Sequence, residues 1–580
     1  MTEDASKVQG LERPRGRGRH ARRRGSGGRG PVDGTVARSS ALLALGTVAS
    51  RSTGMLRLVL QGAALGLDAD AGAYNTANTM PTSLYTLMIG GALNSVLVPQ
   101  LVRARDEHAD GGRAHEQRLM TMVLSVLALG TVLAVVFAPQ IVALLTPPGH
   151  GGKAAGSGGG SAGGDDFALT VAFAQFLLPQ VFFYGLFFML GQLLNARGRF
   201  GAMGWAPVVN NVVLIGMFGL YITLERKGGG HVTSGQVALL GTATTVGIAL
   251  QALCLLPALG RLGFSFRPRF DWRGTGLGRS LAAARWTLLF VLVNQVALAV
   301  VTRYANAVDA AAPHADAGNS AYFFAQNIWM LPQSVVTVSL VTAMLPRMSR
   351  AVSERRLDDA RADLSRSLRT TGVVIVPAAF FFLAFGPQTA VLLFSHSSGG
   401  AAAAQPLGEM LRAFALGLIP FSAQYLLLRG FYAFEDTRTP FWTAVWISVT
   451  DIVLATACHL WLPTGQVAIG MAGAYAVSYG VGLLITAHRL RRRLERRLDG
   501  RRLVRTYGKL VAAATSAAVA GWAAARGLGG FPVLGGSATG TALSALTAGG
   551  VVMLGVFVLA CRVLGVDELR GVAARLPGRG

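Results

Sequence analysis

The sequence predicts an all-α polytopic membrane protein: about fourteen transmembrane helices, arranged as two six-helix lobes related by a pseudo-two-fold, plus two C-terminal helices. Three observations predict it. Long apolar runs recur along the chain, basic residues collect in alternate loops, and proline-centred blocks repeat about 250 residues apart.

The apolar runs come first. Only 14% of the 580 residues are Asp, Glu, Lys or Arg and 52% are hydrophobic, whereas soluble domains carry roughly 25% charge. Mean hydropathy is +0.46. Spans are expected near 39–66, 73–102, 119–146, 166–195, 203–223, 235–260, 285–307, 319–346, 371–395, 408–433, 440–462, 466–487, 507–525 and 538–561. Nearly all are long enough to cross ~30 Å of hydrocarbon as a helix. The first forty residues lack the apolar core of a signal peptide, so the first span is read as the insertion signal. Cys254, Cys458 and Cys561 lie within or at the end of spans, have no CxxC partner, and are read as small apolar packers.

The charges fix a topology. Of the 53 Lys and Arg, 44 fall on one side of these spans, five on the other and four inside. The positive-inside rule makes the crowded side cytoplasmic, with both termini there and an even number of spans. A miscounted span would swap rich and poor loops from that point on. The net charge of +25 then reflects topology and attraction to anionic membrane lipids, and no nucleic-acid partner is expected. The expected units are a basic tail (1–38), an N-lobe (39–260), a C-lobe (261–487), a basic loop with spans 13 and 14 (488–564) and a C-terminal tail (565–580). The Gly-Ser-rich stretch from Gly149 to Gly164 reads as an insertion on the charge-poor side.

The repeat defines the lobes. Pro81, Ser83 and Thr86 match Pro332, Ser334 and Thr337 at an offset of 251, and Pro179, Tyr184 and Arg197 match Pro420, Tyr425 and Arg438 at 241. The copies lie six spans apart, so both halves share one orientation, as in parallel-repeat transporters.

The chemistry follows from charges placed where they are costly. An arginine at mid-bilayer costs at least ~2.5–3.5 kcal/mol. Arg51 and Arg57 share span 1 with no acidic residue a turn away, a pattern that suits an anionic, phosphate-bearing ligand. Gly54 between them allows a bend. Arg303, near the far end of span 7, is either a second-lobe contact or a side chain reaching out to the interface. Arg429, near the basic end of span 10, is read as the latter. Asp451 is the only acidic residue deep in a span; it either binds a proton or Na+ or is neutral and structural. Asn294, Gln295, Gln326 and Asn327 supply uncharged polar lining or helix-to-helix bonds. There is no GxxxxGK[ST], no HExxH and no histidine pair at i, i+4, so no metal and no enzyme activity is expected.

The stretch Ser50-Arg51-Ser52-Thr53-Gly54-Met55-Leu56-Arg57 resembles the span 1 motif of the MurJ (MviN) family of lipid II flippases. Gly90-Gly91-Ala92-Leu93-Asn94 with Val98-Pro99-Gln100 is similar to the same family. So are Leu194-Asn195-Ala196-Arg197-Gly198-Arg199-Phe200 with Trp205-Ala206-Pro207, Leu345-Pro346-Arg347, and Phe431-Tyr432-Ala433 with Asp436-Thr437-Arg438-Thr439-Pro440. The resemblance covers about residues 40–500 and is nearest to the high-GC actinobacterial branch. It implies the fold of the multidrug/oligosaccharidyl-lipid/polysaccharide exporter superfamily and movement of lipid II from inner to outer leaflet by alternating access. It implies a cationic cavity that uses the span 1 arginines, which matches Arg51 and Arg57, and a cation site between spans 7, 11 and 12 whose nearest candidates are Asp451 and Asn294; Arg303, Gln326 and Asn327 are further candidate substrate contacts read from their own positions. Many members carry further arginines in spans 2 and 8, where this chain has Tyr85 and Asn327. No cofactor is expected; coupling to Na+, H+ or membrane potential is, and cell-wall synthesis proteins are candidate partners. The rival readings are a drug/cation antiporter of the same superfamily, a lipid-linked glycosyltransferase and a non-transporting cell-wall scaffold. The first would favour acidic cavity residues, and the second would need an acidic metal cluster at a membrane face.

Overall fold

A computed structural model of the chain describes residues 31–67, 69–90, 112–147, 162–199, 201–225, 232–271, 277–312, 317–397, 399–495, 499–528 and 537–569. The basic tail over 1–30, the Gly91–Asn94 and Val98–Gln100 motifs and most of the Gly-Ser stretch lie outside the described residues. The first half comprises α1 (Pro31–Leu65), α2 (Ala69–Tyr85, continued by a π turn over Thr86–Gly90), α3 (Arg113–Val136), α4 (Ala138–Leu145), α5 (Ala162–Leu177), α6 (Gln180–Ala196), α7 (Gly201–Glu225), α8 (Ser234–Leu253) and α9 (Leu256–Gly260). The second comprises α10 (Leu277–Ala311), α11 (Asn319–Trp329), α12 (Leu331–Ser353), α13 (Leu357–Phe394), α14 (Gly400–Ala433), α15 (Arg438–Trp461) and α16 (Thr464–Arg493). The chain ends with α17 (Gly500–Leu528) and α18 (Ala538–Val563).

Local chemistry explains where these helices begin and break. Thr233 and Gln236 form a capping box at the start of α8. The Asp436 carboxylate accepts from the backbone N–H of Arg438 and Thr439, each at 3.0 Å, and so starts α15. Prolines sit at the junctions inside four expected spans: Pro139 between α3 and α4, Pro179 between α5 and α6, Pro257 after α8 and Pro332 after α11. Gly66, with φ of 76°, closes α1.

Each half packs mainly on itself: α1 on α7, α7 on α8 and α2 on α5 in the first, α13 on α14 and α14 on α16 in the second. The apolar core of the second half centres on Trp329, Phe394, Phe414 and Leu418. That of the first centres on Tyr74, Phe173 and Phe218. α17 and α18 lie against α13 through Phe385, Ala517, Met553 and Phe557. A β-carbon built on Gly521 would meet the Gly549 carbonyl oxygen at 2.6 Å, so α17 and α18 approach as closely as small residues allow. Beyond α9 an extended stretch runs along α3: Gln117 donates to the Ser265 carbonyl at 3.0 Å and Arg118 pairs with Asp271. That pairing holds the Asp271 carboxyl below the usual range.

Among the described residues, ten helical stretches are long and apolar enough to cross a membrane, against about fourteen spans read from the sequence. The others expected, at 39–66, 73–102, 319–346 and 507–525, are helical where described but less apolar. The first carries Arg51 and Arg57, the next two are lined with Asn, Gln, Ser and Thr, and the last is rich in Ala. Three of the four contribute side chains to the polar contacts between the halves or carry the span 1 arginines.

Candidate functional site

The two halves meet through buried polar side chains at one end of the bundle, the charge-poor end. Gln61 of α1 donates to Asn75 of α2 at 2.7 Å, and Asn75 donates to Ser320 of α11 at 3.1 Å. Thr76 donates to Asn306 of α10 at 2.9 Å, and Asn319 donates back to Thr76 at 2.8 Å. Asn306 also donates to the Leu145 carbonyl at the end of α4, at 2.8 Å. All six side chains are buried. Each such bond contributes about 0.5–1.5 kcal/mol net, so this latch weighs a few kcal/mol, the scale of a conformational equilibrium.

Arg303 belongs to this latch. Its guanidinium donates to the Ala143 and Leu144 carbonyls at 3.3 and 3.2 Å, capping the last turn of α4 from the other half. It is therefore an interlobe contact held by carbonyls.

Below the latch lies the arginine helix. Arg57 is one turn from Gln61, and Arg51 is a further six residues along α1. Arg57 is half-buried, its Nε has no partner, and its charge acts on the phenols of Tyr74 and Tyr184. Arg51 is exposed. Neither forms an ion pair among the described residues. Asn211 of α7 braces this stretch, donating to the Ser50 carbonyl and to Thr53 Oγ1, each at 3.0 Å. The Tyr184 ring centroid lies 5.6 Å from that of Tyr85. In the second half, Arg429 lies over Tyr425 at 4.4 Å and Tyr432 at 5.4 Å, its Nε also buried and unpartnered. Tyr184 and Tyr425 are the repeat partners seen in the sequence, and each has an arginine within electrostatic reach.

A second polar centre sits between α10, α11, α15 and α16. A cavity of about 200 Å³ is lined by Asn294, Gln295, Tyr322, Gln326, Ser448 and Asp451, with Tyr475 and Tyr479 closing it. Asp451 is buried, with Ser478 beside its carboxyl. Asn294 donates to the Phe290 carbonyl at 2.6 Å, leaving its side-chain oxygen as acceptor. Asp451 and Asn294 thus share one cavity, and Gln326, grouped in the sequence with the substrate contacts, lines it too. Asn327 does not: it is exposed and donates to the Phe323 carbonyl of its own helix at 2.8 Å. Tyr475 and Tyr479 were not singled out from sequence, though their i, i+4 spacing on a small-residue helix was a readable signal.

Two packed helical bundles, a closed polar end and arginines inside the spans define a multi-pass membrane transporter. The sequence pattern of the lipid II flippase MurJ family matches residues 62–530, and the chain belongs to that family. A probable lipid II flippase MurJ of Rhizobium meliloti (strain 1021) is 30% identical over 397 residues, 68% of this chain and 70% of the relative. The lipid II flippase MurJ of Burkholderia cenocepacia is 26% identical over 446 residues, 76% of this chain and 80% of that one. Among solved structures, a lipid II flippase MurJ in an inward closed conformation superposes with a TM-score of 0.68 at 18% identity, covering 90% of this chain and 99% of that chain. An inward-facing multidrug resistance MATE family transporter of the MOP superfamily gives 0.58 at 16% identity, covering 78% and 99%. Both show the shared fold.

Proposed function

We propose that this chain carries lipid II, a polyprenyl-pyrophosphate-linked peptidoglycan precursor, from the inner to the outer leaflet by alternating access. The observation that carries the reading is Arg57, whose buried Nε has no hydrogen-bond partner and which forms no ion pair among the described residues, with Arg51 on the same helix, inside a family of lipid II flippases. A fork of fixed N–H donors suits a pyrophosphate, and the phenols of Tyr184, on which the Arg57 charge acts, and of Tyr85, packed against Tyr184, suit the sugars. The charge-poor end faces outward and both termini lie in the cytoplasm. The latched form therefore receives the headgroup from inside, while the prenyl tail stays in lipid. Arg303 holds the outer end shut until the lobes reorient.

Asp451 and Asn294 bind a small cation that biases this cycle, Na+ or H+ with the membrane potential behind it. Anionic lipids gather at the arginine-rich face, and cell-wall synthesis proteins take up the delivered precursor. Alanine at Arg57 tests the substrate half of this reading: binding of lipid II to purified protein should fall at least tenfold. Binding equal to that of the parent would remove Arg57 from the headgroup site.

A further inference from the structure

The cation cavity has a polar neighbour that nothing in the described structure satisfies. Gln424 of α14 is 1% exposed, and neither its amide oxygen nor its amide nitrogen has a hydrogen-bond partner. One carboxylate oxygen of Asp451 is equally buried and equally unpartnered. A primary amide in a membrane interior is expected to be fully bonded, so an orphaned one needs a physical reason.

Ile447 supplies the geometry. It lines the Asp451 cavity on one side. On its other side its tip fills the notch at Gly482 on α16, where an added β-carbon would also come within 3.9 Å of the Gln424 amide carbon. One aliphatic side chain therefore reaches both the cavity and the notch beside the orphaned amide. Asp451 lies one turn along α15 from Ile447, and Ser478 one turn along α16 from Gly482, so the Asp451–Ser478 pair is offset by one helical turn from the Ile447–Gly482 contact that the amide adjoins.

We propose that Gln424 is a concealed oxygen ligand of the Asp451 site. A small monovalent cation enters the cavity and becomes occluded between Asp451 and Gln424 when the Ile447 side chain turns aside. The donors are all hard oxygens: one carboxylate, the amides of Asn294, Gln326 and Gln424, and the hydroxyls of Ser448 and Ser478. The titratable groups that face Asp451 are the phenols of Tyr322, Tyr475 and Tyr479. Among the described residues no cluster of three His, Cys, Asp or Glu is present. One negative charge balances one positive charge, which favours an alkali cation over a divalent one.

This rests on the coupling role given to Asp451, and the test separates the two. The thermal midpoint of the purified full chain is followed as NaCl replaces choline chloride at constant ionic strength. The parent should show a saturable rise. Gln424→Leu is one methylene shorter but similar in bulk and removes an unbonded amide, so it should fold; its half-saturating Na+ should be at least tenfold higher. Gln424→Glu, with a second carboxylate, should shift preference toward Ca2+. Asp451→Asn should abolish the response. If Gln424→Leu saturates like the parent while Asp451→Asn is silent, Gln424 is no ligand and the coupling role stands. If the parent shows no saturable Na+ response, both fail together.

Discussion

Arg57 illustrates how far one residue can be read from sequence alone. Its presence in an apolar span without an acidic neighbour marked it, and the structure gives it two tyrosines and an unpartnered Nε. We expect Arg51→Ala and Arg57→Ala each to reduce flipping more than tenfold at matched membrane expression, because losing an intramembrane charge should make insertion easier. Arg51→Lys keeps the charge without the fork and should recover only part of the activity. Exposure of lipid II at the outer leaflet measures it; full activity in Arg51→Lys would mean that the side chain merely reaches for the interface. Arg303 was legible as a charge inside a span, but its acceptors were not, since carbonyls of a helix 160 residues away leave no sequence mark. Asp451 stood out as a lone acid, and its Asn variant should flip independently of Na+ and pH; an unchanged ion dependence would return it to a structural role. Gln424 was invisible, because an amide in a span reads as helix glue until its missing partners are known.

The elements that matter most are those least like membrane helices. α1, α2 and α11 give up apolarity to hold Gln61, Asn75, Thr76, Asn319 and Ser320, which join the halves at one end. Apolar runs made most other spans readable, whereas these needed the repeat and the charge count. The proline matches pointed to corresponding helices, yet Pro179 breaks its span and Pro420 lies inside the continuous α14, because packing decides how a helix accommodates a proline. Paired cysteines at Asn75 and Ser320, whose side chains meet at 3.1 Å, should crosslink on oxidation and stop transport, with recovery on reduction. Transport that continues through the crosslinked form would show that this end need not open.

At the scale of the whole molecule, the sorting of arginines predicts which face is inside. Cysteine at Gly159 should react with an impermeant thiol reagent in intact cells, and cysteine at Asp359 only after lysis; labelling of both in intact cells would overturn the topology. The family and the two-bundle fold were legible because span 1, the Asp436–Pro440 turn and the arginine loops are local signals. The Asp451 cavity was legible only in part, since it gathers residues from four helices far apart in sequence. The most direct test is complementation of a flippase-depleted strain, scored by outer-leaflet exposure of lipid II. This chain should restore exposure and growth, and the Arg51→Ala/Arg57→Ala double variant, equally abundant in the membrane, should restore neither. A parent chain that reaches the membrane yet leaves lipid II on the inner leaflet would contradict the account.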